Sequence, residues 1–195
     1  FGGKSGAGDL PIAYFLAKEA KQPVRIVLSH TEELTASNPD HYSVITVRTG
    51  VKRDGRLVAR HLKAVHGTGA YAGQKPGSGS IGGAGSAGPY RIDHTSMEAY
   101  QVYTNTVPCG FWRAPGAIHA IFAVESHMDL IAKEIGMDPV EFRMKNLVRE
   151  GDENALGRPW RGVKARETLQ AALDAAGWSK RKPGPNYGRG VAMYE

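Results

Sequence analysis

The most unusual stretch of this 195-residue chain is residues 107–117, VPCGFWRAPGA, which place an arginine between aromatic and small residues. Apolar residues beyond this stretch recur at helical spacing, so Arg113 comes just ahead of a predicted helix N-terminus. A guanidinium beside the free N–H groups of a helix is suited to bind phosphate or another anion. The alternative interpretation is a surface arginine that covers Trp112.

A second candidate is the glycine loop FGGK at residues 1–4. Consecutive glycines before a helix leave N–H groups that suit an anionic or oxo ligand. Gly3-Lys4-Ser5 also resembles the end of a P-loop that binds nucleotide phosphates. However, the buried strand predicted at residues 24–28 ends at Ser29 and not at the aspartate that a Mg²⁺ site requires. A truncated P-loop domain stays open as an alternative.

The metal-ligating and nucleophilic residue types give no further site. The seven histidines lack the spacing of metal ligands, so each is predicted to be structural or solvated. Cys109 has no base paired with it in any sequence signature and is expected to be a small, partly buried thiol. We therefore predict no metal ligand and no catalytic residue in this chain.

The amino-acid composition indicates a globular protein. A hydrophobic share of 41%, a charged share of 23% and a mean hydropathy of −0.36 are typical of a globular chain, and the length suits one domain or subdomain over residues 1–195. The apolar stretches are too short for a membrane span, and a single cysteine fits a reducing compartment, so we expect a cytoplasmic protein. The net charge of +6 is better explained by a solvated surface around an anionic cofactor than by nucleic-acid binding.

Local signals predict mixed helices and strands in the first half. Asp9 is expected to cap a helix that Pro23 stops and whose apolar positions include Ile12, Phe15, Leu16 and Ala20. Ser29 and Glu32 have the spacing of a capping box at the start of a short second helix. Two strands, at 42–51 and 56–65, flank the hairpin signal Asp54-Gly55, and a long glycine-rich loop covers 67–89.

The second half is predicted to be mostly helical. A strand at 100–106 precedes a helix whose buried stripe is Ile121, Val124, Met128, Ile131 and Ile135 and which ends at Gly136. Asp138-Pro139 starts another helix, and a last one covers about 165–176, with Leu169, Ala172, Leu173 and Ala176 inward. Residues 190–195 read as the start of a strand. Without regular alternation of strands and helices, the fold class is α+β.

Four sequence blocks occur in the order found in one known family. They are FGGK at 1–4, FWRAPGA at 111–117, Glu125-Ser126 with Asp129, and GMDPVEFRMKN at 136–146. With them the chain resembles the molybdenum-cofactor-binding large subunit of the xanthine dehydrogenase, aldehyde oxidase and carbon monoxide dehydrogenase family. The resemblance extends over nearly the whole chain, as an internal piece of that subunit.

The resemblance implies a molybdopterin-binding role for five residues. It places Phe1, Gly2 and Gly3 beside the molybdenum and Arg113, followed by Ala114, near the dithiolene end of the pterin. Amide donors and a fixed cation suit oxo ligands and an electron-rich sulfur chelate. The family's general-base glutamate lies downstream of every residue present here, so the chain is expected to be inactive alone.

Departures from the family pattern narrow the range of expected substrates. Copper-containing carbon monoxide dehydrogenases have a cysteine where this chain has Ala114, and purine-oxidising members have a phenylalanine at the place of Pro115 and a glutamate at the place of Ser5. The resemblance therefore implies an enzyme that hydroxylates an aldehyde or an N-heterocycle.

Other parts of such an enzyme are expected elsewhere. The resemblance implies partner subunits or domains that hold iron–sulfur clusters and FAD, since one cysteine cannot hold a cluster. The partners expected are these and a small-molecule substrate, with no nucleic acid and no membrane. The alternative within the family is a purely structural or interface module without direct cofactor contacts.

Overall fold

The computed structural model describes residues 9–71, 88–110, 114–154, 157–180 and 184–194. These residues form five helices and three strands: α1 Leu10–Ala20, α2 His30–Ala36, β1 Tyr42–Val51, β2 Leu57–Gly67, β3 His94–Val102, α3 Ala117–Glu134, α4 Pro139–Asn146 and α5 Ala165–Ala175. The predicted α+β class is confirmed. Most of the predicted glycine-rich loop lies outside the described residues.

The three strands form one sheet in the order β1-β2-β3. β1 and β2 are antiparallel and joined by the predicted hairpin, where the Lys52 N–H donates to the Arg56 carbonyl at 2.9 Å. Gly55 has a φ of 84°, a conformation that glycine adopts without strain. β3 lies parallel to β2, so the chain crosses over between them.

The strand predicted at 100–106 was misplaced. In the structure β3 covers His94–Val102, because it pairs with β2. The last residue of β2, Gly67, lies opposite Val102. Strand boundaries therefore follow the length of a partner that lies far away in sequence.

Two other predicted strands do not form in the described chain. Residues 24–28 have no strand partner, although Val24, Ile26 and Leu28 are half-buried between exposed neighbours. Residues 190–194 also form no strand; the Met193 N–H donates instead to Oε2 of Glu125 at 2.9 Å. A strand requires a neighbour for its backbone groups, and neither segment has one among the described residues.

Helix starts follow the local signals where a cap is present. The Ser29 hydroxyl accepts from the Glu32 N–H and Glu32 accepts from the Ser29 N–H, which completes the predicted capping box of α2. Asp138 accepts from two N–H groups at the start of α4. Asp9 is the N-cap residue of α1 as predicted, but its side chain makes no capping hydrogen bond.

The core lies between the sheet and helices α3, α4 and α5. Its buried side chains include Leu57, Leu62 and Ala64 of β2, Val124 and Met128 of α3, Phe142 of α4, and Leu169 and Leu173 of α5. The stripe predicted on α3 is confirmed as buried or half-buried. No helix of the described chain has both the length and the apolar character needed to cross a membrane.

Two predicted helix faces are not buried. α1 has no buried residue, and Ile12, Phe15 and Leu16 are exposed because no other described element covers them. On α5, Ala172 and Ala176 are exposed beside the buried Leu169 and Leu173. Helical periodicity identified which residues share a face but not whether a partner covers it.

Candidate functional site

Most of the site residues predicted from the sequence lie outside the described residues. These are Phe1, Gly2, Gly3 and Arg113. Ala114 is described; it is exposed and has a φ of 48°, in the left-handed region. The proximity of the opening glycine loop to Arg113 therefore stays a prediction. The residues on both sides of 111–113 define the surroundings of the candidate site.

The segment before Arg113 is held against residues 38–39. The Gly110 N–H donates to the Pro39 carbonyl at 2.9 Å, and the Asn38 side-chain amide donates to the Pro108 carbonyl at 3.1 Å. A Cβ added to Gly110 would lie 2.4 Å from Cβ of Asn38, so only glycine fits this approach. The backbone is thus fixed up to the residue before Phe111.

Cys109 belongs to the same anchor. Its N–H donates to the Thr68 carbonyl at 3.1 Å, and its Sγ lies 3.5 Å from the Gly67 carbonyl oxygen. Burial raises the pKa of the Cys109 thiol, which keeps it protonated at neutral pH. Its burial and its backbone contacts agree with the small, buried thiol expected from the sequence.

The segment after Arg113 is a tight turn that leads into α3. Ala114 and Gly116 have φ values of 48° and 79°, and the Ala117 N–H donates to the Ala114 carbonyl at 3.0 Å. α3 has 18 residues, yet Gly116 provides no side-chain cap and the first turn contains no acidic residue. The Ile118 N–H also donates to the Ala114 carbonyl and the Ala120 N–H to the Gly116 carbonyl, so the feature of this helix start that favours an anion is its positive dipole end.

A cluster of imidazoles packs beside these two segments. Asp40 accepts the His41 N–H on Oδ1 at 2.8 Å, and its Oδ2 lies 3.3 Å from Nε2 of His119, in the first turn of α3. The His66 ring lies between the other two, with centroids 6.4 Å from His41 and 5.6 Å from His119. We call residues 38–41, 107–110 and 114–119, together with His66, the loop stem, since they flank or support residues 111–113.

His66 is fully buried, and neither of its ring nitrogens has a hydrogen-bond partner among the described residues. Burial, together with the neighbouring His119 and His41, lowers the pKa of His66 to about 4. The ring is therefore neutral at pH 7. Within the described ranges, no group of three histidine, cysteine, aspartate or glutamate side chains is arranged to hold a metal ion.

A second polar cluster fixes the other side of α3. Arg143 of α4 is fully buried and donates to Glu125 at 3.0 Å and to Asp129 at 2.6 Å. Glu125 also accepts the Tyr90 hydroxyl at 2.7 Å and the Met193 N–H at 2.9 Å. We call these five residues the Glu125 network; it ties α3, α4 and the C-terminal segment together.

Asn146 plays a related role at the hairpin. Its side-chain oxygen accepts the Leu57 N–H at 2.9 Å, and its amide donates to the Gly55 and Phe142 carbonyls. The amide satisfies buried backbone groups that the hairpin turn leaves unpaired. The sequence block at 136–146 thus holds the sheet and the helices together.

A comparison with known families identifies the chain. The model of the molybdopterin cofactor-binding domain matches residues 1–147, which is most of the chain. The chain belongs to the molybdopterin cofactor-binding domain family. This confirms the family predicted from the four sequence blocks.

Proteins with similar sequences support the same family. The chain is 36% identical over 152 residues to a protein of Bacillus subtilis described as a probable xanthine dehydrogenase subunit, covering 78% of this chain and 20% of that protein. It is 36% identical over 184 residues to a putative xanthine dehydrogenase molybdenum-binding subunit of Escherichia coli, covering 93% and 24%. The nicotinate dehydrogenase large molybdopterin subunit of Eubacterium barkeri is 33% identical, with 90% and 42% covered. The chain thus spans less than half the length of these relatives.

Solved structures share the fold. Quinoline 2-oxidoreductase from Pseudomonas putida superposes with a TM-score of 0.73 at 23% identity, over 86% of this chain and 22% of that one. Aldehyde oxidoreductase from Desulfovibrio gigas gives a TM-score of 0.70 at 25% identity, over 93% and 21%.

The described residues fit the family's cofactor. Molybdopterin carries a phosphate and a dithiolene, both electron-rich, and the start of α3 presents a positive dipole end whose first turn contains no acidic residue. The loop stem holds this helix start beside the residue that follows Arg113. This charge distribution is compatible with an anionic ligand.

Sequence reasoning missed both polar clusters. Glu125 and Asp129 are four residues apart and so share a helix face, which together with Arg143 was a signal for an ion-pair network. The histidines of the loop stem are separated by 25 or more positions, and no spacing rule connects them. Only the fold brings them together.

Proposed function

We propose that this chain forms part of the molybdopterin site of a molybdenum hydroxylase that oxidises an aldehyde or an N-heterocycle. The observation that carries the proposal is the uncapped, acid-free N-terminus of α3, which follows Arg113 after a turn with two left-handed residues. Membership of the molybdopterin cofactor-binding domain family supports it.

In this proposal the guanidinium of Arg113 binds the anionic pterin dithiolene end, and the positive dipole end of α3 stabilises its charge. Ala114 keeps the backbone close to the cofactor because its side chain is small. Phe1, Gly2 and Gly3 contribute a ring and amide donors beside the metal. The bound molybdenum cofactor supplies the two-electron redox chemistry, while these residues orient it and balance its charge.

The substrate class rests on residue types near Arg113. Ala114 stands where a copper-binding cysteine is found in carbon monoxide dehydrogenases, and Pro115 and Ser5 stand where purine-oxidising enzymes have phenylalanine and glutamate. Relatives are named for xanthine, nicotinate and aldehyde oxidation, a range that includes both remaining classes. We therefore favour an aldehyde or a non-purine N-heterocycle.

The chain is proposed to act within a larger assembly. It spans 20% to 42% of the relatives named above, so the rest of the cofactor cradle and the general base belong to other regions, and the chain alone is inactive. One further relative is a subunit of a dehydrogenase complex. Iron–sulfur and flavin subunits or domains are the proposed electron acceptors.

The test is cofactor retention in the holoenzyme that carries this chain. Arg113→Ala is compared with Arg53→Ala, which removes an exposed arginine in the β1–β2 turn. Pterin is measured by the fluorescence of its oxidised form and molybdenum by elemental analysis, both per subunit after gel filtration. Loss of one charge-assisted hydrogen-bond donor predicts roughly tenfold weaker retention in Arg113→Ala and no loss in the control.

Equal retention in both variants contradicts the proposal and favours a purely structural or interface module. The P-loop alternative has its own readout: ATP at millimolar concentration would raise the melting temperature. No shift is expected, because the family model that includes Gly3-Lys4-Ser5 describes a molybdopterin site.

A further inference from the structure

Three separate segments of the chain meet at residues 39–41. Oδ1 accepts the neighbouring His41 N–H at 2.8 Å, which fixes the carboxylate in one orientation. Oδ2 then points to Nε2 of His119 at 3.3 Å. Asp40 follows Pro39, whose carbonyl accepts the Gly110 N–H.

This arrangement links the two described ends of the segment that contains Arg113. Gly110 is fixed to Pro39 on one side, and α3 is fixed to Asp40 through His119 on the other. The distance between Gly110 and the start of α3 is therefore set by two contacts to neighbouring residues of a third segment. Neither contact lies in the hydrophobic core.

His66 sets the orientation of the His119 ring. It is fully buried at the end of β2 and meets His119 edge-on, with 5.6 Å between ring centroids and an angle of 83° between planes. Because packing limits the rotation of the His119 ring, Nε2 stays directed at Asp40. The side chains of His119 and Asp40 are themselves 18% and 31% exposed, so their contact contributes little to global stability.

We propose that Asp40 and His119 are positioning residues that hold the start of α3 in register with Gly110 and thereby fix the two described ends between which Arg113 lies. This inference rests on the function proposed above. It assigns a role to a carboxylate–imidazole pair whose presence is not explained by core packing. The role is geometric, since neither side chain needs to touch the cofactor.

The experiment measures pterin and molybdenum retention in the holoenzyme for Asp40→Ala, His119→Ala, the double variant and His119→Gln. The matched controls are Asp93→Ala and His94→Ala, an exposed acid–histidine pair at the start of β3. Each single stem variant is expected to reduce retention roughly three- to tenfold with a nearly unchanged melting temperature. The double variant is expected to be no worse than either single one, because both remove the same contact.

His119→Gln provides the readout that a merely structural role would not move. Its side-chain amide donates from a position close to Nε2, so retention is expected to recover to within about twofold of the wild type. Additive losses in the double variant, no loss in the single variants, or no recovery in His119→Gln would each overturn the inference. If Arg113→Ala also retains cofactor, the proposed function itself fails; if only the stem variants retain it, the inference alone fails.

Discussion

Helix α3 contacts two clusters of buried polar groups, and these clusters differ in their hydrogen bonding. On the side of α4, the Glu125 network pairs Arg143 with two carboxylates and gives Glu125 two further donors. At the N-terminal end, His66 is as deeply buried but has no hydrogen-bond partner on either ring nitrogen among the described residues. The Arg143–Glu125 pair is charged and hydrogen-bonded, whereas the His66 ring is neutral and lacks a hydrogen-bond partner in the described part of the chain.

The difference concerns stability. A fully bonded ion network rigidifies the elements it joins, and it holds α3 to α4 whatever is bound nearby. A buried imidazole whose nitrogens are unpaired costs stability instead. We therefore expect the Glu125 network to contribute more to the free energy of unfolding than the loop stem does.

The largest expected effect comes from breaking the network. Arg143→Met keeps the apolar volume but leaves the Glu125 carboxylate buried without its cation, so we expect a loss of about 3–5 kcal/mol in the free energy of unfolding. Urea denaturation followed by circular dichroism measures it. Arg166→Met is the control, because Arg166 is exposed and donates to the Met144 carbonyl; it should cost under about 1 kcal/mol. Equal effects of the two variants would contradict the comparison.

Acid is expected to lower the stability of the fold through His66 of the loop stem. His66 titrates near 6.5 in the unfolded chain but at about 4 when folded, because burial and then His119 and His41 disfavour its charge, opposed by Asp40. Between these values the unfolded chain binds a proton that the folded chain does not. The free energy of unfolding should therefore fall as the pH drops from about 6.5 to 4, by up to about 3 kcal/mol from this ring.

The measurement is chemical denaturation at a series of pH values. In His66→Leu the fall over this range should be clearly smaller, with a remainder from His127, whose pKa is also lowered by burial and by Arg60. His94→Leu, at an exposed position, should keep the wild-type dependence. An unchanged pH dependence in His66→Leu would show that the ring does not titrate as described.

The smallest effect concerns the approach of Gly110 to Asn38. Gly110→Ala introduces a Cβ 2.4 Å from that of Asn38, and the required shift should cost about 1–3 kcal/mol. Gly184→Ala is the control, since a Cβ there meets nothing within 4 Å. Thermal unfolding measures both. Comparable melting temperatures for the two variants would mean that the loop stem adapts easily and does not fix the backbone.

Local signals in the sequence predicted the parts of the fold that depend on neighbours along the chain. The capping box of Ser29, the cap at Asp138 and the turn at Gly55 each depend on interactions within four residues. The strand predictions failed for the opposite reason. The span of β3 is set by β2, about 35 positions away, and residues 24–28 show β character without a strand partner in the described chain.

The candidate site was predictable only in part. The family and the candidate Arg113 came from motifs that are contiguous in sequence. The loop stem that flanks Arg113 was not predictable, since Asp40, His66 and His119 belong to three distant segments and none carries a recognised spacing. The helical period of α1 was predicted, but periodicity does not reveal whether a partner covers its apolar face, which is exposed among the described residues.

In the proposed function, Arg113 and the start of α3 bind the molybdenum cofactor together with the opening glycine loop. The decisive measurement is a crystal structure of the cofactor-loaded subunit. We expect the Arg113 guanidinium within hydrogen-bond distance of the cofactor, with the start of α3 and Phe1–Gly3 on the same wall of the pocket. A cofactor bound elsewhere, or Arg113 and Phe1 on opposite sides of the molecule, would contradict it.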